Sequence, residues 1–324
     1  MFRRILINIS RMALLSMLAL LIISNQAQGT EGGGTLYPGG NEDFMMGALP
    51  PPGFYYLNYF LYEHSGDFSD VRIPQGTPGA GRKISSLTGG VAPDFDLNVV
   101  ANVFRFVYVS PFKIFGANWA TQAILPVLNV DARLRMPNGA TLFDGSDAGL
   151  GDITITPVVL GWHFGKNFHL TAGVDINAPT GQYDQTSAVN VGRNYFEFEP
   201  VMAVTYLHDR GFEASIKLMY DYNLKNMSTD YQSGQEFHFD YLIGQHVCNW
   251  LFGVGGQFYQ QSTDDEFPGQ DIYFDGNRGQ AFSIGPAVQY QYKNMFFGIK
   301  YQHDVVSENR PDAQKVWVRF MYAF

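Results

Sequence analysis

The last ten residues, Lys315 to Phe324, restrict what this chain can fold into more than any other stretch. Reading back from the carboxyl end, Phe324, Tyr322, Phe320, Val318 and Val316 share one parity, and Ala323, Met321, Arg319, Trp317 and Lys315 share the other. Side chains of a strand alternate between faces. One face is therefore uniformly apolar and the other carries two cations. A strand that is apolar outside, charged inside and terminated by Phe suits a transmembrane β-barrel, whose outer face meets lipid and whose interior is wet. Taken alone, the strand also fits the edge of a soluble sandwich. Phe320, Tyr322 and Phe324 form the candidate assembly signal, to be read by barrel-assembly machinery.

The amino terminus favours the barrel. Arg3, Arg4 and Arg11 give a positive start, and Met12 to Ile23 is apolar apart from Ser16. That run is shorter than the roughly 20 residues a membrane-crossing helix needs. Ala27 and Gly29 place small residues where a signal peptidase reads, so residues 1–29 are expected to be a cleaved signal peptide, with an uncleaved anchor as the alternative. The expected location is the outer membrane of a Gram-negative bacterium, with outer-membrane lipid as a partner. A mean hydropathy of −0.11 beside 15% aromatic residues agrees, because alternation makes a membrane protein that is not hydrophobic on average. A net charge of −9 argues against nucleic acid as a partner, and the single Cys248 excludes an intramolecular disulfide.

Runs of alternation bounded by turn chemistry fall at roughly 54–62, 95–109, 118–135, 151–164, 167–178, 195–208, 211–224, 236–248, 250–262, 280–292, 295–306 and 315–324. Tight connections at 165–167, 208–211, 248–250 and 293–294 alternate with long polar stretches at 63–94, 136–150, 179–194, 225–235, 263–279 and 307–314. Short periplasmic turns, long external loops and an even strand number are the habit of bacterial barrels. The predicted fold is an all-β, up-and-down antiparallel transmembrane barrel over residues 54–324. It has about twelve strands, or fourteen if 63–94 or 110–117 hides a pair.

Parity then sorts the faces. Phe168, Leu170, Val174, Phe196, Phe198, Met202, Tyr206, Phe212, Ile216, Leu218, Phe237, Phe239, Tyr241, Phe297, Ile299 and Tyr301 are predicted to face lipid. Asp175, Glu197, Glu199, Glu213, Lys217, Asp221, Asp240, Lys300 and Arg319 are predicted to line the lumen. A Lys or Arg facing mid-membrane lipid costs about 2–4 kcal/mol, which the alternation avoids. Arg105 breaks the pattern unless parity slips, so a bulge is expected near Val103. The lumen charges are read either as a structural network of paired ions or as a selectivity lining.

Residues 30–53 are rich in glycine and proline and cannot be helix or interior strand. Phe44, Met45, Met46 and Leu49 would be a liability if exposed in a free tail. The segment is expected to tuck into the barrel as a partial plug or pack under its periplasmic mouth; the alternative is a disordered lead-in.

Met46-Gly-Ala-Leu-Pro-Pro-Pro-Gly-Phe-Tyr-Tyr-Leu-Asn-Tyr59 resembles the opening signature of the family named for the meta-pathway of phenol degradation, also called SphA-like. Matching stretches include Gly151-Asp152-Ile153 with Pro157, Gly161-Trp162-His163, Pro179-Thr180-Gly181-x-Tyr183, Asn190-Val-Gly-Arg-Asn-Tyr195, Glu199-Pro200 and Tyr231-x-Ser-Gly-x-Glu-Phe-His238. The resemblance implies an outer-membrane barrel that helps small hydrophobic or aromatic compounds enter degradation pathways. It brings no catalytic residues.

No enzymatic reading emerges. No histidine is followed two residues on by Ser; His169-x-Thr171 comes nearest and points inward. Nucleotide-loop, Cys-x-x-Cys and Gly-x-Ser-x-Gly motifs are missing. His238-x-Asp240 and His246-x-Cys248 each offer two ligands on one strand, and both read as lumen or turn residues; no metal or other cofactor is expected. Two functions remain: a passive channel for small hydrophobic or aromatic solutes, or a non-transporting barrel that serves as a surface adhesion or scaffold protein through loop aromatics such as Tyr183, Phe267 and Tyr273.

Overall fold

Period-two patterning is realised as strands throughout the described residues. The computed structural model describes residues 36–66, 93–266 and 278–324. The predicted signal peptide, Phe267 and Tyr273 lie outside them. The strands are β1 (Gly53–Ser65), β2 (Asp94–Ile114), β3 (Ala117–Arg135), β4 (Thr141–Leu150), β5 (Ile153–Phe164), β6 (Phe168–Ala178), β7 (Glu197–Leu207), β8 (Phe212–Asn223), β9 (Glu236–Val247), β10 (Trp250–Gln261), β11 (Gln280–Tyr292), β12 (Met295–Glu308) and β13 (Gln314–Ala323). All except β4 close into a twelve-stranded antiparallel barrel, with β13 pairing back onto β1 from Tyr55–Ala323 to His64–Gln314.

The outer surface is a belt of exposed apolar side chains, among them Phe212, Ile243, Phe252 and Ile299. Aromatic contacts girdle its tight-turn end, including Trp250 on Tyr290 with ring centroids 4.6 Å apart and Phe297 on Phe320 at 5.4 Å. An apolar belt between aromatic girdles is what a bilayer requires of a barrel. Phe320 and Tyr322 sit in the girdle, and Phe324, 80% exposed, marks its rim.

Three expectations are corrected. The 110–117 connection is a tight turn, because β2 and β3 continue to Ile114 and Ala117. Phe115 (φ 51°) and Gly116 (φ 77°) both take left-handed backbone, the geometry of a two-residue hairpin turn. The 136–150 stretch is not all loop, since β4 occupies most of it and pairs with the upper half of β3 from Val127–Leu150 to Arg135–Thr141. The lower half of β3 pairs with β5, so β4 and β5 act as one strand broken at Gly151-Asp152.

There is no bulge at Val103. The β1–β2 register runs without a shift from Gly53–Val109 to Ser65–Leu97. Arg105 faces the lumen on the same parity as Val103, because this strand turns apolar side chains inward. Val103, Ala101 and Val107 pack with Tyr55, Leu57, Tyr59 and Leu61 of β1 in a cluster inside the barrel. The outer face of the same strands accommodates Asn58 and Asn102 through a 2.6 Å hydrogen bond donated by Asn58 to Asn102. Hydrophobicity therefore did not report the outward face here.

Candidate functional site

The N-terminal segment lies within the barrel, and its backbone is what the lumen charges hold. Asp240 accepts three hydrogen bonds from it: Tyr37 Oη at 2.6 Å, Gly40 N at 2.9 Å and Glu42 N at 2.9 Å. Lys300 donates to the carbonyls of Gly40, Asn41 (3.3 Å) and Glu42 (2.8 Å), and Lys315 donates to Gly39 at 3.2 Å. Glu213 accepts from Met45 N at 2.6 Å, and Thr205 Oγ1 accepts from Gly47 N at 2.9 Å. A chain too rich in glycine and proline to form its own ladder thus satisfies its backbone groups with side chains of the wall.

Two adjacent acids lock the segment electrostatically. Glu42 lies 2.7 Å from Arg105 and 3.9 Å from Lys217, and Asp43 lies 2.5 Å from Arg319. Burial alone would push the Glu42 carboxyl up. Arg105, and after it Lys217, more than reverse this and hold it at about 2.

The apolar residues of the segment seat in cups. Phe44 packs on Leu242, Leu251 and Ala287, with Met45 and Met46 beside it. Its ring lies over Gly244 and Gly253, where a Cβ would come within 2.9 and 3.2 Å of it. Leu49 fills the space left by Gly161 on β5 and packs against the β1–β2 cluster.

Above the segment, on the side of the long loops, is a cavity of about 730 Å³. Its two walls differ. Leu97, Val99 and Ala101 of β2, with Ile124, Leu128 and Val130 of β3, make an apolar wall. Opposite stand Asp175, Asn177, Glu199 and Lys217, while Tyr37, Asn41 and Glu42 form the floor. A polar belt joins the walls: Arg105 donates to Gln122 at 2.8 Å, Gln122 to Thr156 at 2.8 Å, and Thr156 to Asp175.

The cavity's outer boundary includes the 179–194 loop, pinned at the break between β4 and β5. Asp152 accepts from Gly181 N at 2.8 Å and Arg193 N at 2.7 Å, and Asp147 accepts from Val191 N at 2.9 Å. The stretches around 151, 181 and 192, separate in sequence, thereby form one assembly. Tyr183 lines the cavity and takes a 3.0 Å hydrogen bond from Asn226, so it is not part of an outer patch.

The nine predicted lumen residues all belong to the inward parity, in two groups. Glu213, Lys217, Asp240, Lys300 and Arg319 contact the inserted segment. Asp175, Glu197, Glu199 and Asp221 are buried together on β6, β7 and β8. Among the described residues no ion pair joins two of the nine, because the cations are engaged by Glu42, Asp43 and backbone carbonyls. Tyr37, Glu42, Asp43 and the apolar wall join the site only in the folded barrel. Arg105, the one violation of parity, was the available signal for them.

A membrane-spanning barrel with an inserted N-terminal segment and an internal, half-apolar cavity defines the class of protein. The profile of the family described as "Putative MetA-pathway of phenol degradation" matches residues 80–320, and the chain belongs to that family. No curated protein sequence is a significant match. The structure is similar to the COG4313 outer membrane channel from Pseudomonas putida F1, at 18% identity and a TM-score of 0.69, over 86% of this chain and 98% of that one. At that identity the likeness is one of fold. Looser likenesses include the CymD monoaromatic hydrocarbon channel (10% identity, 84% of this chain and 89% of that one, TM-score 0.43) and the β-domain of the Bordetella autotransporter BrkA (9%, 84% and 100%, 0.49).

Proposed function

We propose that the protein is an outer-membrane channel for passive uptake of small hydrophobic or aromatic molecules. The observation that carries this is the cavity, whose size falls in the range of small-molecule sites and whose β2–β3 wall is apolar while the barrel around it is wet. An aromatic solute can lie its ring on that wall and turn a hydroxyl or carboxyl toward Arg105 and Gln122. The family's description and the channel named for the P. putida structure support the reading. No residue is assigned a catalytic role.

Residues 36–49 act as a stopper that a solute must displace or pass. Phe320, Tyr322 and Phe324 serve as the recognition element for barrel assembly, with lipid as the surrounding partner.

Uptake of labelled phenol, against a labelled sugar, by cells with and without the gene tests the channel. Gene-dependent entry of phenol but not sugar is expected, and equal phenol entry in both strains refutes it. For the stopper, deleting residues 31–49 is expected to raise single-channel conductance. Unchanged conductance removes that reading.

A further inference from the structure

Three adjacent strands bring together a set of ligand atoms that no sequence motif encodes. Glu199 on β7, Asp221 on β8 and His238 on β9 each place one such atom within 4.8 Å of the other two. His238 Nε2 lies 2.9 and 3.0 Å from the two oxygens of Asp221. Strand register produces the meeting: the β7–β8 pairing from Phe198–Tyr222 to Val201–Met219 sets Glu199 beside Asp221, and Asp221 pairs across from Glu236, two residues from His238.

All three side chains are almost wholly buried, Glu199 at 2% exposure, Asp221 at 0% and His238 at 3%. Glu199 Oε1 has no hydrogen-bond partner among the described residues, and neither has Oε2 of the adjoining Glu236. A buried carboxylate oxygen left without a partner is costly. Neighbouring groups are already engaged. Asn177 donates to Glu197 at 2.6 Å, and Asp175 accepts from Thr156. Lys217 lies 3.9 Å from Glu42 and 4.8 Å from the centre of the Tyr37 ring. Arg310 lies 3.8 Å from the centre of the Tyr259 ring.

We infer that Glu199, Asp221 and His238 bind one divalent transition-metal cation of the zinc type in the barrel wall, beside Tyr37 of the inserted segment. One imidazole nitrogen with two carboxylates is a borderline donor set that suits such an ion, where calcium or magnesium prefers oxygen alone. The ion would supply the positive charge that these acids lack and tie β7, β8 and β9 together. Tyr37 covers the site, its ring centroid 5.1 Å from that of His238.

The test uses full-length protein in detergent, stripped with EDTA and dialysed against buffered Zn²⁺, with bound zinc counted by mass spectrometry. One zinc per chain is expected. Loss of a ligand should weaken binding at least ~100-fold, beyond what a change in a group that only hydrogen-bonds a ligand costs. Glu199→Gln is the first variant, being isosteric and uncharged, and His238→Gln is the second. Faster migration of the unheated sample on a detergent gel verifies that each is folded. Bound Zn²⁺ should also raise the temperature at which the wild-type barrel loses that fast migration, and leave Glu199→Gln unmoved. The exposed pair His163 and His169, with Nδ1 atoms 2.7 Å apart, is the competing place for zinc. The His163→Ala/His169→Ala double variant should bind as wild type does. Folded protein that retains no zinc overturns the inference, as does binding that disappears with the His163/His169 pair or survives Glu199→Gln unchanged.

Discussion

Glu42→Gln is the most discriminating perturbation of the inserted segment. With the segment docked, the Glu42 carboxylate neutralises Arg105 at 2.7 Å and Lys217 at 3.9 Å; all three side chains are less than a fifth exposed. The amide removes the charge and leaves two cations beneath the segment. Breaking one partner of such a pair costs about 3–5 kcal/mol. The depression of the carboxyl from 4.5 to about 2 by the same two cations corresponds to about 3 kcal/mol, the same order. When the segment is released, lumen water solvates Arg105 and Lys217, so nearly the whole difference falls on the docked state. The ratio of docked to released segment should fall by about two to three orders of magnitude. Single-channel recording in planar bilayers reads this as more frequent or longer high-conductance openings. The double variant Glu42→Gln/Arg105→Gln should recover much of the loss, because it removes both ends of the closest pair. If Glu42→Gln opens no more often than wild type, the electrostatic lock is refuted.

Acid should act on the same contact. Because the docked carboxyl is depressed, its contribution is fully present above about pH 4.5 and is lost as pH falls toward 2. Opening of wild type should therefore increase as pH falls below about 4.5, and Glu42→Gln should show a smaller increase over the same range. Phe44→Ala removes the ring that packs on Leu242, Leu251 and Ala287 and should make the segment cleavable by protease added at the tight-turn side. Asp152→Ala removes the acceptor of two backbone N–H groups, each charge-assisted bond being worth about 1.5–3 kcal/mol. It should expose the 179–194 loop to proteolysis in intact cells while the barrel keeps its heat-dependent gel shift.

How far the sequence could be read depended on how local the physics was. Alternation is local, so the inward placement of Glu197, Glu213, Lys217 and Lys300 could be read from neighbours along the chain. β2 resisted that reading because both of its parities are largely apolar; only the β1–β2 cluster inside the barrel shows which side is which. β4 was hidden because Thr141–Leu150 carries Asp144, Ser146 and Asp147 and has little strand character of its own. It is held by β3, which is long enough to pair with two partners.

The amino-acid order by itself determined that the chain alternates, that it crosses a membrane with strands, and which end of most strands meets a tight turn. Those properties follow from residues one or two positions apart. Barrel closure decided the rest, because it brings together residues up to 276 positions apart, as with Gly39 and Lys315. It put Glu42 between Arg105 and Lys217, seated Phe44 over two glycines, set an apolar wall opposite an acidic one, and left Glu199, Asp221 and His238 side by side on three strands. None of these is a motif along the chain; the first three need the closed barrel, and the last needs the register of β7, β8 and β9.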